Sequence, residues 1–285
     1  MRIHAPTTLD SIKKSLVALR MARALEVLDA TLRRIEQGEI DAIEALDHLL
    51  LEEVTLRETR RIKAALMLAR LTTIKTLAGF DFVFQPSLDK SRILALAELE
   101  FIDRAEVVHL LGPPGTGKSH LASALAVEAV KAGRSVYFST LADIVASLVK
   151  AEREGNLRER IRFLARAALL VVDEIGYLPV TPGGGNLFFQ LVNARYERGA
   201  MILTSNRGFA EWGEVFGDTV VATALLDRLL HHAVVIQIEG SSYRLRQHGD
   251  LVPEHVRSKA TITPSPTPKR RVRQPGKKTD DQHNG

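Results

Sequence analysis

The stretch VVHLLGPPGTGKS, residues 107–119, is a short apolar run followed by a glycine-rich loop, and it decides the fold. Its loop matches G-x-x-x-x-G-K-[ST] at every fixed position, and a helix-forming run follows. Glycines let successive backbone N–H groups turn towards phosphate oxygens, and the helix N-terminus adds the positive end of its dipole. The pattern therefore predicts a phosphate-binding loop made of Gly112, Pro113, Pro114, Gly115, Thr116, Gly117, Lys118 and Ser119.

Two side chains of this loop have predicted roles in nucleotide binding. Lys118 is expected to reach the β- and γ-phosphates, and the Ser119 hydroxyl is expected to ligate Mg²⁺. The alternative, a chance glycine-rich turn, is disfavoured by the strand and the helix on either side. The guanine-reading motif N-K-x-D is absent from the sequence, which disfavours a GTPase. The predicted cofactors are therefore ATP and Mg²⁺.

A second apolar run, Leu169 to Val172, leads directly into Asp173 and Glu174. Carboxylates at the end of a buried strand cost free energy of desolvation unless they bind a ligand or take part in catalysis. Asp173 is expected to hold Mg²⁺, and Glu174 to polarise the attacking water. The alternative is an ordinary solvated strand end.

Three further polar residues are candidates for the same site. Asn206 ends the next strand, and since parallel strands bring their carboxyl ends to one edge, it is predicted to hold the same water or the γ-phosphate. Arg228 lies on a later helix, where the sequence leaves open an ion pair with Asp227 or an arginine finger for the neighbouring subunit's site. Arg244 is a candidate for approaching the phosphates of its own subunit.

The adjacent histidines His231 and His232 raise the question of a metal site. No cluster of carboxylates or cysteines stands beside them in the sequence, and metal sites need such a set of ligands. They are therefore predicted to be surface or interface histidines.

Periodicity along the chain predicts an α/β protein with a mostly parallel sheet. Helical spacing extends from about Thr8 to Ala78, and afterwards short β-branched runs alternate with helical ones. Past Pro253 the chain is rich in proline and basic residues and is expected to be disordered. The predicted domains are a helical N-terminal domain (1–78), a connecting strap (79–106), an ATPase domain (107–250) and a disordered basic tail (251–285).

The charge of the chain is unevenly distributed. The 285 residues include 39 Lys+Arg and 34 Asp+Glu, for a net charge of +5. Residues 256–285 hold eight basic and two acidic residues, which leaves 31 basic against 32 acidic in residues 1–255. Within the near-neutral body, residues 36–53 hold seven acids and no Lys or Arg, whereas residues 57–75 hold six basic residues and one acid. A basic face on the helical domain is therefore predicted.

Composition excludes several classes of protein. With 45% hydrophobic and 26% charged residues the chain has the composition of a globular protein, and the absence of cysteine excludes disulfides and thiolate metal sites. No apolar stretch approaches the roughly 20 residues that span a bilayer. Charged residues also occupy the place of a signal peptide's apolar run. The expected location is the cytoplasm.

With these residues in view, the chain resembles the IstB-like ATPases, the helper proteins of insertion-sequence transposition, which are related to DnaC-type helicase loaders within the AAA+ class. The resemblance covers about residues 10–248. It rests above all on KTLAGFDFVFQPSLD (75–89), LLGPPGTGKSHLA (110–122), LVVDEIGYLP (170–179), ILTSNRGFAEWGEVFGD (202–218) and ATALLDRLLHH (222–232). The three glycines at 183–185 suggest a looser loop than the family's, either a flexible DNA-facing element or one without function.

The resemblance implies an AAA+ P-loop fold and a role for each candidate residue. Residues 112–119 match the family's Walker A motif, Asp173 and Glu174 its Walker B motif, Asn206 sensor 1, Arg228 the arginine finger and Arg244 a sensor-2-like position. It also implies a Mg²⁺-dependent, DNA-stimulated ATPase that forms a homo-oligomer on double-stranded DNA with little sequence preference and recruits a transposase. The alternatives are a helicase loader and an ATP-gated DNA-binding scaffold in which hydrolysis is incidental.

Overall fold

A parallel sheet with helices on both faces forms the larger part of the molecule, in a computed structural model that describes residues 7–71 and 73–244. The strands are β1 Val107–Leu111, β2 Val136–Thr140, β3 Leu169–Ile175, β4 Ala200–Ser205 and β5 Ala233–Gln237. Their order across the sheet is β2-β3-β4-β1-β5, and every neighbouring pair is parallel. The predicted α/β class with a parallel sheet is confirmed.

Helices connect the strands and form the N-terminal region. They are α1 Thr8–Ala18, α2 Ala22–Glu36, α3 Ala42–Leu68, α4 Lys90–Ala97, α5 Glu100–Asp103, α6 Lys118–Lys131, α7 Leu141–Arg153, α8 Leu157–Ala165, α9 Gly184–Arg195, α10 Trp212–Phe216 and α11 Thr219–Leu230. A short 3₁₀ helix, Phe209–Glu211, precedes α10. The N-terminal region is helical, as predicted.

The three inner strands, β1, β3 and β4, are buried on both faces, which explains their nearly continuous apolar sequences. Alternate residues of a strand point to opposite faces. Val108 and Leu110 belong to one core cluster with α6 and the end of α3, whereas Val107 belongs to a second with α7, α9 and α11. Such double burial is typical of parallel sheets. The polar ends of the strands are thereby collected at one edge of the sheet.

Polar side chains cap the first turns of α1 and α3 in the N-terminal region. The Asp41 side chain accepts hydrogen bonds from the backbone N–H groups of Ile43 and Glu44 at 2.8 and 2.7 Å, which caps α3. The start of α2 has no cap of its own, and Glu53 of α3 accepts instead from the Arg23 N–H at 2.9 Å. Glu53 also pairs with Arg57. A buried carboxylate therefore ties α2 to α3.

Two predictions about segments need correction. The helical run does not extend unbroken to Ala78, because it is interrupted at 19–21 and α3 ends at Leu68. The glycines at 183–185 are no loose loop: a Cβ on Gly184 would lie 2.5 Å from Val145 Cγ1, so the missing side chain lets α9 begin against α7.

Some predictions fall on residues outside those described. The disorder of the basic tail concerns residues 251–285, none of which the structure describes. The domain boundaries at 78, 106 and 250 stay predictions. Within residues 7–71 and 73–244, no helix is both long and apolar enough to cross a membrane.

Candidate nucleotide-binding site

The glycine-rich loop lies between the carboxyl end of β1 and the first turn of α6, as the sequence predicts. Gly117 precedes the helix with φ +95°, a left-handed conformation that favours glycine. A Cβ there would also lie 2.5 Å from Phe80 Cε2, so the ring of the preceding segment packs directly on the loop. Lys118 Nζ donates to the Pro113 carbonyl at 2.7 Å. The loop thus encloses the amino group that is predicted to bind phosphate.

A cavity of about 540 Å³ opens over this loop. Its wall includes Gly115 to His120 on one side and Phe80 and Gln85 of the FDFVFQ segment on the other. The chain returns to the cavity at its last described turn, where the Tyr243 N–H donates to the Gly115 carbonyl at 2.9 Å. Such a volume is within the range of small-molecule and cofactor sites. Residues of the predicted strap therefore form part of the pocket, and the strap's connecting role stays a prediction.

Burial sets the electrostatics of Lys118. It lowers the pKa of the lysine to about 8, an effect that the Asp173 carboxylate opposes and the nearby Arg244 guanidinium reinforces. Arg244 lines the same cavity, in the subunit that carries the loop. The structure therefore places Arg244 beside its own phosphate loop, as the sequence predicts; its role stays a prediction. An anionic ligand would relieve the repulsion between the two cations.

Asp173 and Ser119 form a pair of oxygen donors at the edge of this cavity. The Ser119 hydroxyl donates to Asp173 Oδ1 at 2.9 Å, and the carboxylate is only 7% exposed. Hydroxyl and carboxylate oxygens are the ligands that Mg²⁺ prefers. The donor set therefore fits the predicted metal position.

Thr204 is a functional candidate that sequence reasoning missed. Its hydroxyl donates to Asp173 Oδ1 and accepts from the Glu174 N–H at 3.0 Å, so one side chain positions both carboxylates. Thr204 is 1% exposed on the central strand β4, which lies between β1 and β3. The sequence does contain an indication of this role, because Thr204 is the first hydroxyl residue at the end of an otherwise apolar strand, AMILTS.

Replacing Thr204 with valine is expected to destabilise the protein by about 1–3 kcal/mol, because valine has the same shape but removes a buried hydrogen bond to Asp173 and leaves the part-buried Glu174 N–H unpaired. ATP turnover should also fall, since Asp173 loses a bond that fixes its orientation. Urea denaturation and a steady-state ATPase assay measure the two effects. The matched control is Thr59→Val, which removes an exposed hydroxyl bonded to its own helix and should change stability by less than about 0.5 kcal/mol. Equal stabilities for the two variants would contradict this role of Thr204.

Glu174 does not lie in the phosphate-loop cavity. Its backbone has φ +63°, and the register between β3 and β4 is irregular from Val172 to Ile175. The exposed side chain lines a neighbouring groove of about 710 Å³ between α7 and residues 177–182. A left-handed non-glycine residue in a strand is rare and marks a position that its surroundings hold in place. Here the bond from the Glu174 N–H to Thr204 does so.

Asn206 lies at the same edge of the sheet, as predicted. With its amide nitrogen directed at the end of β3, it donates to the carbonyls of Ile175 at 3.0 Å and Gly176 at 3.2 Å. A Cβ on Gly176 would lie 3.0 Å from this same amide nitrogen. The asparagine therefore holds the turn that follows Glu174, and contact with phosphate stays a prediction.

Arg228 lies at the opposite edge of the sheet from the phosphate loop. Its guanidinium stacks over the Tyr196 ring at 4.6 Å, beside the first residue of β1, Val107. Within the described residues it forms no ion pair, so the alternative of a bond to Asp227 is not observed. Cation–π contacts of this kind hold arginine in place without neutralising it.

The helix that carries Arg228 is anchored from the sheet. His109 of β1 is fully buried, and its Nε2 lies 3.0 Å from the Leu229 carbonyl oxygen. Burial lowers the pKa of His109 to about 4, so the ring is neutral at physiological pH. A neutral ring can bond to the helix end without the cost of a buried charge. The end of α11 is thereby fixed to the sheet.

His231 and His232 are exposed, as predicted, but the reason given for excluding a metal was wrong. The carboxylate of Glu197, which is distant in sequence, lies 3.8 Å from His231 Nδ1 and 3.9 Å from His232 Nε2. Glu197 is therefore brought to the two histidines by the tertiary structure and not by proximity in the sequence.

The glycine-rich loop between β1 and α6, with a buried aspartate beside its serine, defines a P-loop nucleotide-binding protein. The family model of IstB-like ATP binding proteins matches residues 13–250. The chain belongs to this family, which confirms the resemblance found in the sequence.

The chain is similar to individual relatives and to solved structures over most of their length. The insertion sequence IS21 putative ATP-binding protein of Pseudomonas aeruginosa is 47% identical over 229 residues, covering 80% of this chain and 86% of the relative. The insertion sequence IS5376 putative ATP-binding protein of Geobacillus stearothermophilus is 45% identical over 204 residues, covering 72% of this chain and 81% of the relative. Among solved structures, DnaI is 20% identical with a TM-score of 0.47, covering 57% of this chain and 90% of the DnaI chain.

Proposed function

We propose that this protein is a Mg²⁺-dependent ATPase that assembles as a homo-oligomer on double-stranded DNA and recruits a partner transposase. The proposal is supported by membership in a family of ATP-binding proteins and by relatives named for insertion sequences. The observation that carries the assembly is the distance between Arg228 and the phosphate loop of the same chain.

The chemistry starts from the pocket over the glycine-rich loop. Lys118 and the loop N–H groups bind the phosphates, and Arg244 adds a second positive charge from the same subunit. Mg²⁺ at Ser119 and Asp173 would neutralise phosphate charge when bound. Glu174 is the base that orients the attacking water, since its neighbour Asp173 is already engaged by two hydroxyls.

Arg228 has to serve a different subunit. It packs at the amino end of β1, whereas the phosphate loop follows the carboxyl end of the same strand. A five-residue strand is about 16 Å long, so the guanidinium cannot reach the phosphates of its own chain. An arginine that rests on a tyrosine and forms no ion pair with any of residues 7–71 and 73–244 is suited to a neighbour's nucleotide. A complete site then needs two copies of the chain.

DNA contact is supported by two basic surfaces. In the predicted block 57–75, Arg57 pairs with Glu53, Arg61 with Glu58, and Arg70 donates to the Tyr137 hydroxyl, which leaves less charge for DNA than the sequence suggests. A second surface, which the sequence pattern did not indicate, lies on α8 and at its C-cap. There Arg158, Arg162 and Arg166 recur every four residues, are exposed, and form no salt bridge within the described residues.

Full-length protein is therefore expected to hydrolyse ATP faster with duplex DNA, and to bind DNA of different sequences with similar affinity. If six or more phosphates are neutralised, affinity should fall roughly 10³-fold between 50 and 200 mM salt. Arg158→Ala/Arg162→Ala should weaken binding and reduce the slope of this salt dependence. Fluorescence anisotropy with duplexes of several sequences measures both.

The matched control is Arg104→Ala/Arg134→Ala, which removes the same charge from arginines that are already ion-paired. Strong preference for one DNA sequence, or turnover that DNA leaves unchanged, would contradict the proposal. Co-purification with a hexameric helicase rather than a transposase would establish the helicase-loader alternative.

A further inference from the structure

A cluster of three metal-ligating side chains lies outside the nucleotide site, at the edge of the sheet near Arg228. Glu197 follows α9, and His231 and His232 join α11 to β5. Their candidate ligand atoms all lie within 4.8 Å of one another. The separations from Glu197 Oε1, 3.8 Å to His231 Nδ1 and 3.9 Å to His232 Nε2, are too long for hydrogen bonds. Hydrogen bonds among the three therefore do not account for their convergence.

We propose that Glu197, His231 and His232 bind one divalent transition-metal ion of the zinc class. Imidazole nitrogens and a carboxylate oxygen are common zinc ligands, and three of them leave a fourth position for water. Tetrahedral bonds of 2.0–2.1 Å require ligand atoms about 3.3–3.4 Å apart. The two Glu–His separations have to shorten by roughly half an ångström, and the separation of the two histidine nitrogens, at most 4.8 Å, by up to about 1.5 Å. Each side chain is more than half exposed, so a change of rotamer can bring the ligand atoms closer.

The backbone contributes to the placement of these ligands. Glu197 has φ +56°, a left-handed conformation that is uncommon for a residue other than glycine, and it turns the chain between α9 and β4. The two histidine rings meet edge to face, with centroids 4.2 Å apart and ring planes inclined at 60°. Oxygen-seeking ions such as Mg²⁺ are poorly matched to two imidazoles, which separates this site from the one at Ser119.

Metal binding would be coupled to Arg228. The Tyr196 hydroxyl oxygen lies 2.8 Å from His231 Nδ1, the atom that the metal would take, and the Tyr196 ring is the surface on which Arg228 rests. An ion at this site therefore displaces the hydroxyl and places a dication beside the guanidinium. This consequence rests on the proposed role of Arg228, whereas the metal site itself does not.

The test uses the full chain without an affinity tag and without nucleotide. Calorimetric titration with Zn²⁺ and absorption titration with Co²⁺ are expected to show one saturable ion per chain with a tetrahedral cobalt spectrum. The double variant His231→Ala/His232→Ala should lose it, and Glu197→Gln should weaken it at least about tenfold, since even outer-shell partners change affinity by 10–100-fold. His48→Ala, remote on α3, is the matched control.

Absence of a saturable ion, or equal binding by wild type and the double variant, would overturn the site. The other seven histidines remain in that variant, so binding elsewhere is recognised directly.

Zn²⁺ saturation should then slow ATP turnover in the wild type more than in the double variant. Equal inhibition would remove the coupling to Arg228 and leave the binding result standing, while an inactive wild type would count against the ATPase proposal alone.

Discussion

Replacing Glu174 with glutamine is expected to lower ATP turnover by about 10²–10⁴-fold, the usual contribution of a general base. The substitution keeps the shape and removes the charge, so the backbone bond to Thr204 and the turn held by Asn206 should survive. ATP affinity should change little, because Glu174 lies outside the cavity that surrounds the phosphate loop. Turnover by phosphate release and binding of a fluorescent ATP analogue measure the two quantities.

Glu154→Gln provides the matched control. Glu154 lines the same groove as Glu174, and its exposed carboxylate forms a 3.8 Å contact with Lys150 and accepts a 3.4 Å hydrogen bond from Asn156. This variant should therefore retain wild-type turnover. If both variants retained it, Glu174 would be an ordinary solvated strand end and the attacking water would need another base.

The phosphate loop and the sheet could be predicted from the sequence because both depend on local patterns. The G-x-x-x-x-G-K-S spacing predicts a turn between a strand and a helix, and β1 and α6 flank it as expected. Runs such as LLVV are apolar because β3 is buried on both faces. Asp173 and Asn206 then reach the same edge of the sheet through parallel pairing alone.

Contacts between distant segments could not be predicted in the same way. Thr204 reaches Asp173 because β4 and β3 are neighbours, and Glu197 reaches the two histidines because α9 and α11 pack together. Neither pairing leaves a signal in local periodicity. The glycines at 183–185 were misread for a similar reason: glycine is typical of loops, but Gly184 is required here by the approach of Val145 and Val180.

Replacing Arg228 with alanine is expected to reduce turnover by about 10³-fold or more while ATP binding to the isolated subunit is retained, because arginine fingers stabilise charge only in the transition state. ATP binding should be retained because Arg228 and the phosphate loop lie at opposite ends of β1. Arg104→Ala, which removes an ion-paired arginine, is the control and should retain turnover.

Mixing two inactive variants distinguishes action between subunits from action within one. Lys118→Ala subunits have a defective pocket and an intact finger, whereas Arg228→Ala subunits have the reverse. In a random one-to-one mixture about a quarter of the sites join an intact pocket to a neighbour's intact finger, if each interface is head-to-tail. Turnover should therefore recover to about a quarter of the wild-type rate. A mixture as inactive as its components, from proteins shown to co-assemble, would mean that Arg228 acts within its own chain or only supports the fold.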